Sequence, residues 1–594
     1  MFVKKSGKGN KTFLSFVQGY RSGGVVKHKT IEGLGYLVDL QKIYDNPIDH
    51  FRDIAKTKNI SNEIENIIKI KIDQRLDDNT AQRKNLGYAV AKRIYSTIGL
   101  HDFFNNKQRH LNIEYNLDKI FRLLVFNRFM FPSSKKKAFD ESSYLFEDIN
   151  FSLDDIYRSL TFFSKYSEEI QAHVNKCVLE MIGRQTDIGY YDVTNYYFEI
   201  PYNDEDIFGG DGRLIKKGFR KKGPSKEHRP DPIVQMGLLM DNNGIPMAFN
   251  TFSGSESEKT SMLPIIRRVK RDYGIKRIIA VADRGLNSSD NTLLLSGLNN
   301  NPNKIKDGYI YGQSILVANK EFKKWVIDKD SYIISNELNR NGKYFTFTHK
   351  SRVYAKSIKL KNSNGIRNTD AIVYQKQLVY YSDKYAHKQR KERDIIIAKA
   401  KDMLSNPTKY TKATSFGATK YIKNLKFNKK TGEVLNGNLL LLNTKKIEEE
   451  KLYDGFYSIV TSELNLSDIS IFNTYRGLWE IEESFKIIKS EFKARPIYLR
   501  SEDHINAHFL ICFISLLIMR ILQFKLNKTF SFHQIRQSLI KYSCSNIEQN
   551  YYLFDYRDEI LIQIEKIFNI DLGKKIMKLS QIKEILQTTS TYQN

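Results

Sequence analysis

The sequence predicts an α/β protein, with strands and helices alternating around a central sheet and a hairpin and helical region before it. Three observations carry this. Aromatic and β-branched runs recur at 190–198, 233–252 and 276–282; helical periodicity precedes the first and separates the last two; and an aspartate lies inside the first run and directly after the last. At 594 residues the chain is too long for one hydrophobic core, and its 41% hydrophobic and 12% aromatic content suffices for two to four packed domains.

Thr12–Gln18 and Val25–Ile31 are β-like runs split by Arg21-Ser22-Gly23-Gly24, a turn signal, so 1–47 is predicted to hold a β-hairpin. From 48 to 183 the periodicity is helical: Leu117, Ile120, Phe121, Leu124 and Val125 fall at i, i+3, i+4, i+7 and i+8. This helical region precedes a first core segment, 184–300. There Tyr190 to Phe198 reads as a strand, and Ile233–Met240 and Ile245–Phe252 flank the turn Asp241-Asn242-Asn243-Gly244. Lys259–Tyr273 is helical, and Lys276–Ala282 is a buried strand ending at Asp283. The order is three strands, a helix and a strand.

Residues 301–455 carry β-like runs at Tyr309–Val317, Tyr344–Thr348, Ile372–Tyr381 and Leu439–Leu442, plus one charged helix, Asp383–Leu404, and are expected to form an inserted β-rich domain. The core resumes over 456–530 with a strand at Gly455–Ser462 and helices from Ile469 through Phe524, and 531–594 is expected to be helical. No fixed-period repeat is present.

With 95 Lys+Arg against 67 Asp+Glu the formal charge is +28. Such an excess repels itself unless a polyanion lies nearby, which makes nucleic acid the expected partner. A lysine-rich coding bias is the alternative source of the charge. Cys177, Cys512 and Cys544 match neither a disulfide framework nor a zinc spacing, which fits a reducing cytoplasm. Met1–Lys11 is basic without the apolar stretch of a signal peptide. The longest apolar run, Phe509–Met519, is shorter than the roughly 18 residues of a membrane span and is expected to be a buried core helix, with no membrane partner.

Three acidic residues stand out. Asp192, in Tyr190-Tyr191-Asp192-Val193-Thr194, places a charge inside an aromatic strand, where it is costly without a partner. Asp283, in Ala280-Val281-Ala282-Asp283-Arg284-Gly285, ends an apolar strand at the position where open α/β sheets carry their sites. A locally bonded strand-end aspartate and a turn cap are the plainer readings of these two. The third, Glu482, lies in a stretch expected to be helical, in which Tyr475, Glu482 and Lys489 are spaced by seven and so share one face. A solvated helix with pairs such as Glu482–Lys486 is the alternative. Carboxylates converging from distant segments can hold two divalent ions for phosphoryl transfer.

These residues resemble the DDE transposases of bacterial insertion sequences, specifically those with the signature Y-x2-R-x3-E-x6-K. Tyr475, Glu482 and Lys489 match with the spacings kept, and Leu478 occupies the arginine position, leaving Arg476 or Lys486 to replace that cation. Asp192-Val193-Thr194 is similar to the family's first acidic motif and Asp283-Arg284-Gly285 to its second; the acids are 91 and 199 residues apart. Gly223 to Asp231 and Gly244-Ile245-Pro246 also resemble this branch. The resemblance covers 187–520. It implies a ribonuclease-H-like mixed sheet flanked by helices and interrupted by a β-rich insertion. It also implies Asp192, Asp283 and Glu482 as ligands of two magnesium ions, with manganese as a substitute, and Tyr475, Arg476, Lys486 and Lys489 as DNA contacts. The implied reaction is cleavage of double-stranded element ends and their joining to target DNA by a homodimer, in the cytoplasm and on the nucleoid. A non-catalytic DNA-binding protein from a decayed element, or a related metal-dependent nuclease, are the alternatives.

The stretch Arg213–Arg229 sets Arg213, Lys216, Lys217, Arg220, Lys221, Lys222, Lys226 and Arg229 against Glu227. Beside such a site it is expected to clamp the DNA backbone, Lys226 and Arg229 included. Trp325 and Trp479 are the only tryptophans, and Trp479 is expected to pack in the core rather than stack on an unpaired base.

Overall fold

The computed structural model describes every residue except 23–24, 62–74, 76–82, 224–230, 298–305, 339–341, 362–366, 411–414, 416, 427–433, 435–439, 549 and 589–594. The chain divides into two compact units, Met1–Leu76 and Asp77–Asn594. In the first, the expected hairpin forms from Phe13–Ser22 and Val25–Tyr36, and a strand at Phe2–Ser6, which the sequence did not announce, pairs with it to make a three-stranded antiparallel sheet. Leu14, Phe16 and Val17 are buried, and the helix Pro47–Ser61 packs against the first strand.

The second unit is organised by one mixed sheet. Its strands are Ile188–Tyr197 (β1), Ile233–Met240 (β2), Pro246–Ser253 (β3), Ile279–Ala282 (β4), Gly308–Gln313 (β5), Ile333–Leu338 (β6), Tyr344–Lys361 (β7), Arg367–Tyr381 (β8) and Phe456–Thr461 (β9). Their spatial order is β6-β7-β8-β9-β5-β4-β1-β2-β3. β1, β2 and β3 form an antiparallel meander, β4 lies parallel between β1 and β5, and β9 runs antiparallel to β5. Every residue of β2 is buried because both sheet faces are covered: Met236, Leu238 and Met240 enter one core and Leu239 the other. In the β2–β3 turn, Asp241 accepts from the backbone N–H groups of Asn243 and Ile245 and pairs with the buried Arg184 at 3.2 Å.

The insertion differs from the expectation of a separate domain. β8 pairs directly with β9, so its strands continue the core sheet, and Phe347 of β7 and Leu378 of β8 enter the main core. The outlying helix and its neighbours do close a small separate cluster, including Ala400, Met403, Tyr421 and Ile447.

The helices that matter for the site are Leu117–Met130 (α1), Leu153–Lys165 (α2), Glu258–Tyr273 (α3), Asp383–Ser405 (α4), Asp468–Arg476 (α5), Trp479–Lys486 (α6) and Glu502–Lys525 (α7). α3 covers one sheet face; α6 and α7 cover the other, with α7 packed against α1, α2 and β3. α7 is long and apolar enough to cross a membrane, yet 94% of its most apolar window is buried inside the protein, as expected for a core helix. Because α1 and α2 share this core, the helices from Tyr88 to Ile182 are not a compact unit of their own, in contrast to the region expected at 48–183. Likewise 531–594 is not purely helical. Ser543–Glu548, Tyr551–Phe554 and Ile576–Lys578 form a small sheet with Arg83–Asn85, a pairing across more than four hundred residues that no local pattern discloses.

Candidate active site

Ala282 of β4 and Tyr191 of β1 are register partners on adjacent parallel strands. The next residue on each is Asp283 and Asp192, so the two carboxylates start from neighbouring backbone positions roughly 5 Å apart. Strand alternation places Asp192 on the face of Tyr190 and Tyr196, and Asp283 on the face of Val281; these residues share a core with Ile481 and Phe485 of α6. Both aspartates therefore stand on the face that α6 covers.

α6 carries three acids, and packing separates their roles. Glu480 is 6% exposed and paired with Lys528 at 3.0 Å; Glu483 pairs with Arg520 of α7 at 2.9 Å. Arg520 also donates to Ser484 Oγ and to the Glu480 carbonyl, fixing the rotation of α6. That rotation leaves Glu482 exposed and turned toward the aspartates. Gly244 permits the arrangement: a Cβ there would fall 1.6 Å from Glu480 Oε2, and its φ of +74° suits glycine.

Asp192, Asp283 and Glu482 line one cleft of about 770 Å³. Tyr475, Arg476, Lys486 and Lys489 line it as well, so the seven residues singled out by the acidic motifs and the signature come together. Lys226 and Arg229 lie outside the described residues. The single helix expected across 475–489 is instead α5, a helical step at Gly477 and Leu478, α6, and a π-helical turn at Ile487–Glu491 that carries Lys489. Leu478 is 9% exposed and lies on the cleft wall.

Tyr475 is the best-anchored wall residue. Its hydroxyl lies 2.9 Å from that of Tyr457 and donates to Asp283 Oδ1 at 3.4 Å, and the Arg284 backbone N–H donates to the same oxygen at 2.7 Å. Burial raises the Tyr475 phenol far above its ordinary pKa, with Tyr457 and Asp283 adding to the rise, so it remains a neutral donor. Gly312 allows the approach, since a Cβ there would sit 2.6 Å from the Tyr475 hydroxyl.

Sequence reasoning missed Tyr380, Tyr385 and Tyr457, which reach the cleft from the insertion and from β9, and Arg495, which follows the π-helical turn. Arg284 stood in the second acidic motif without a role, and it too lines the cleft. Trp479 is a correction: it is 54% exposed and on the cleft wall, because core packing claims Ile481 and Phe485 from the opposite side of the same short helix. Part of the basic stretch is engaged within the protein. Arg213, Lys216, Arg220 and Lys221 are paired with Asp211, Glu502, Asp204 and Asp206, so any phosphate would compete with protein carboxylates for them.

Chemically, the cleft joins three carboxylates to five cations, Arg284, Arg476, Lys486, Lys489 and Arg495, beside an exposed indole. Such a surface can grip phosphates while presenting oxygen ligands between them.

Residues 2–66 match the family model described as IS1634 family transposase, N-terminal domain. The match supports an insertion-sequence transposase, a DNA-processing enzyme. No curated protein matches the chain.

Proposed function

We propose that this chain is an insertion-sequence transposase that cleaves element ends and joins them to target DNA with a pair of divalent ions. The observation that carries the reading is that Asp192, Asp283 and Glu482, 91 and 199 residues apart in sequence, line one cation-rimmed cleft. The strand arrangement supports it too: an antiparallel β1–β2–β3 meander with β4 and β5 parallel to β1 is compatible with the ribonuclease-H-like core that the resemblance implies.

The donor set fits magnesium or manganese, because all three groups are hard carboxylate oxygens. Among the described residues no three acidic, histidine or cysteine side chains form a ready-made metal cluster. Magnesium keeps several waters and is commonly held by one or two carboxylates plus substrate phosphates, so such a cluster is not required. Asp192, Asp283 and Glu482 would hold the ions. Bound there, divalent cations supply activation of an attacking oxygen and stabilisation of the leaving one.

The chain's own residues do the rest. Arg284, Arg476, Lys486, Lys489 and Arg495 bind the backbone phosphates around the scissile bond. Tyr475, held neutral, orients Asp283 through its hydroxyl. Trp479 offers an exposed ring on which an unpaired base can stack. Two ends are joined in one event, and the homodimer implied by the resemblance belongs to this reading.

The test is nicking and joining of duplexes bearing the element's ends, with magnesium. Asp192→Ala, Asp283→Ala and Glu482→Ala should each abolish cleavage while duplex binding persists. Cleavage that survives any one of them overturns the reading. Cut ends without a joined product would identify a nuclease instead, and binding without cutting by the wild type would identify a non-catalytic DNA-binding protein.

A further inference from the structure

On the sheet face turned away from the carboxylate cleft, β7, β8 and the helix Lys320–Ile327 enclose a second groove of about 180 Å³. The faces follow from strand parity. Tyr380 of β8 lines the cleft, whereas Gln375 and Gln377, odd-numbered on the same strand, line the groove. Arg352 and Tyr354 of β7 are the register partners of Gln377 and Gln375, and Lys356 follows two residues on along the same face.

Two of the groove's polar side chains, Arg352 and Lys356, are cations that only donate. Arg352 is held in place: its Nε donates to Gln377 Oε1 at 2.9 Å, one terminal nitrogen reaches Glu321 at 3.2 Å, and its guanidinium lies 4.5 Å over the Trp325 ring. Lys356 is partly buried and, among the described residues, has no carboxylate beside it; burial lowers its ammonium pKa. Gln375 is only 3% exposed, and its Oε1 accepts from Tyr309 at 3.2 Å. That leaves its amide N–H groups without a described partner where the residue meets the groove. No lining residue is acidic.

We propose that this groove binds a phosphate of a nucleic-acid backbone, gripped by Lys356, Arg352 and the Gln375 amide. A partly desolvated ammonium, an oriented guanidinium and an unused amide donor, with no acid among the lining residues, match a phosphate in charge and hydrogen-bonding sense. The preference for phosphate stands on the groove alone. The choice of nucleic acid over a free anion rests on the DNA-processing reading above, and would give the protein a second DNA contact, on the face opposite the chemistry.

The experiment uses the full chain and a labelled DNA duplex, with affinity measured across a salt series. Lys356→Met should weaken binding roughly 3- to 10-fold at low salt and reduce the slope of log K against log salt by about one. Lys356→Arg should restore most of both, and Lys356→Gln serves in place of Lys356→Met if that variant fails to fold. Inorganic phosphate should raise the melting temperature of the wild type more than that of Lys356→Met. Wild-type affinity and slope in Lys356→Met and Lys356→Gln overturn the proposal; if phosphate protection is lost in them nonetheless, the groove belongs to a free anion. Asp192→Asn separates the two sites: it should lose cleavage and keep the Lys356-dependent slope. A wild type that binds no duplex sinks both readings, whereas unchanged binding by Lys356→Met together with intact cleavage sinks only this one.

Discussion

The hydroxyl of Tyr475 bridges β9 and the end of β4, 2.9 Å from the Tyr457 hydroxyl and 3.4 Å from the Asp283 carboxylate. Tyr475→Phe removes both contacts without changing the ring. It should lower stability by about 1 kcal/mol and, if Asp283 serves as a metal ligand, slow cleavage roughly 10- to 100-fold, as loss of an outer partner of a ligand commonly does. Gly312→Ala should reproduce the catalytic defect by pushing the phenol aside. Thermal melts and single-turnover nicking check both, and full activity in Tyr475→Phe would show that the contact does not orient Asp283.

Two acids two residues apart on α6 should behave oppositely. Glu480→Gln leaves Lys528 without its partner beside a buried site and should cost about 1–2 kcal/mol, discounted because the Lys528 side chain is 44% exposed. Glu482→Gln, at an exposed position, should leave the urea midpoint within a few tenths of a kcal/mol and abolish cleavage. Equal destabilisation of the two variants would contradict the separation of roles on α6.

Acid should loosen the join between the insertion and α5. Asp468 sits in the first turn of α5 and pairs with Lys376 of β8 at 2.7 Å and His349 of β7 at 2.9 Å. Burial pushes its carboxyl up, but hydrogen bonds from His349, Lys376 and Ser351 outweigh this and bring the pKa down to about 2. A carboxyl with a depressed folded pKa stabilises the protein above its unfolded value, about 3.9, and that contribution is lost as pH falls toward 2. Asp468→Asn should therefore cost about 2 kcal/mol at pH 7, and the gap from wild type should close between about pH 4 and 2. Urea unfolding across that range measures it.

Lys135 carries a charge that folding disfavours. It is 7% exposed, 3.4 Å from His508 Nδ1, and burial, reinforced by the nearby Arg128 charge, brings its pKa down to about 7. The unfolded chain binds this proton up to about pH 10.4, so stability rises with pH between 7 and 10. Lys135→Met should stabilise the protein at pH 6–7 by on the order of 3 kcal/mol, and the advantage should shrink as pH approaches 10. An advantage that does not vary with pH would assign it to packing instead of charge.

Much of the candidate site could be read from sequence because its chemistry is carried by residue types that are costly elsewhere. An aspartate within Tyr190–Val193 and another closing Ile279–Ala282 are conspicuous against apolar neighbours, and the seven-residue spacing of Tyr475, Glu482 and Lys489 survives the breaks in the helix because Gly477 and Leu478 keep helical geometry. Tyr380, Tyr385 and Arg495 were not legible. Nothing in their local sequence distinguishes a cleft wall from an ordinary strand end or loop, and they reach the site only through the pairing of β8 with β9 and the turn after α6.

The sequence by itself determined the periodicities that make β1 to β5 strands and α3, α4 and α7 helices, since alternation of apolar residues is a property of neighbours along the chain. Which of Glu480, Glu482 and Glu483 faces the aspartates was decided only in three dimensions. Arg520 and Lys528 claim two of them, and that choice turns α6 so that the third meets strands hundreds of residues away. The same long-range packing placed Trp479 on the cleft instead of in the core and merged the insertion into the sheet, because the energy of burying one face against a distant partner outweighs any local preference.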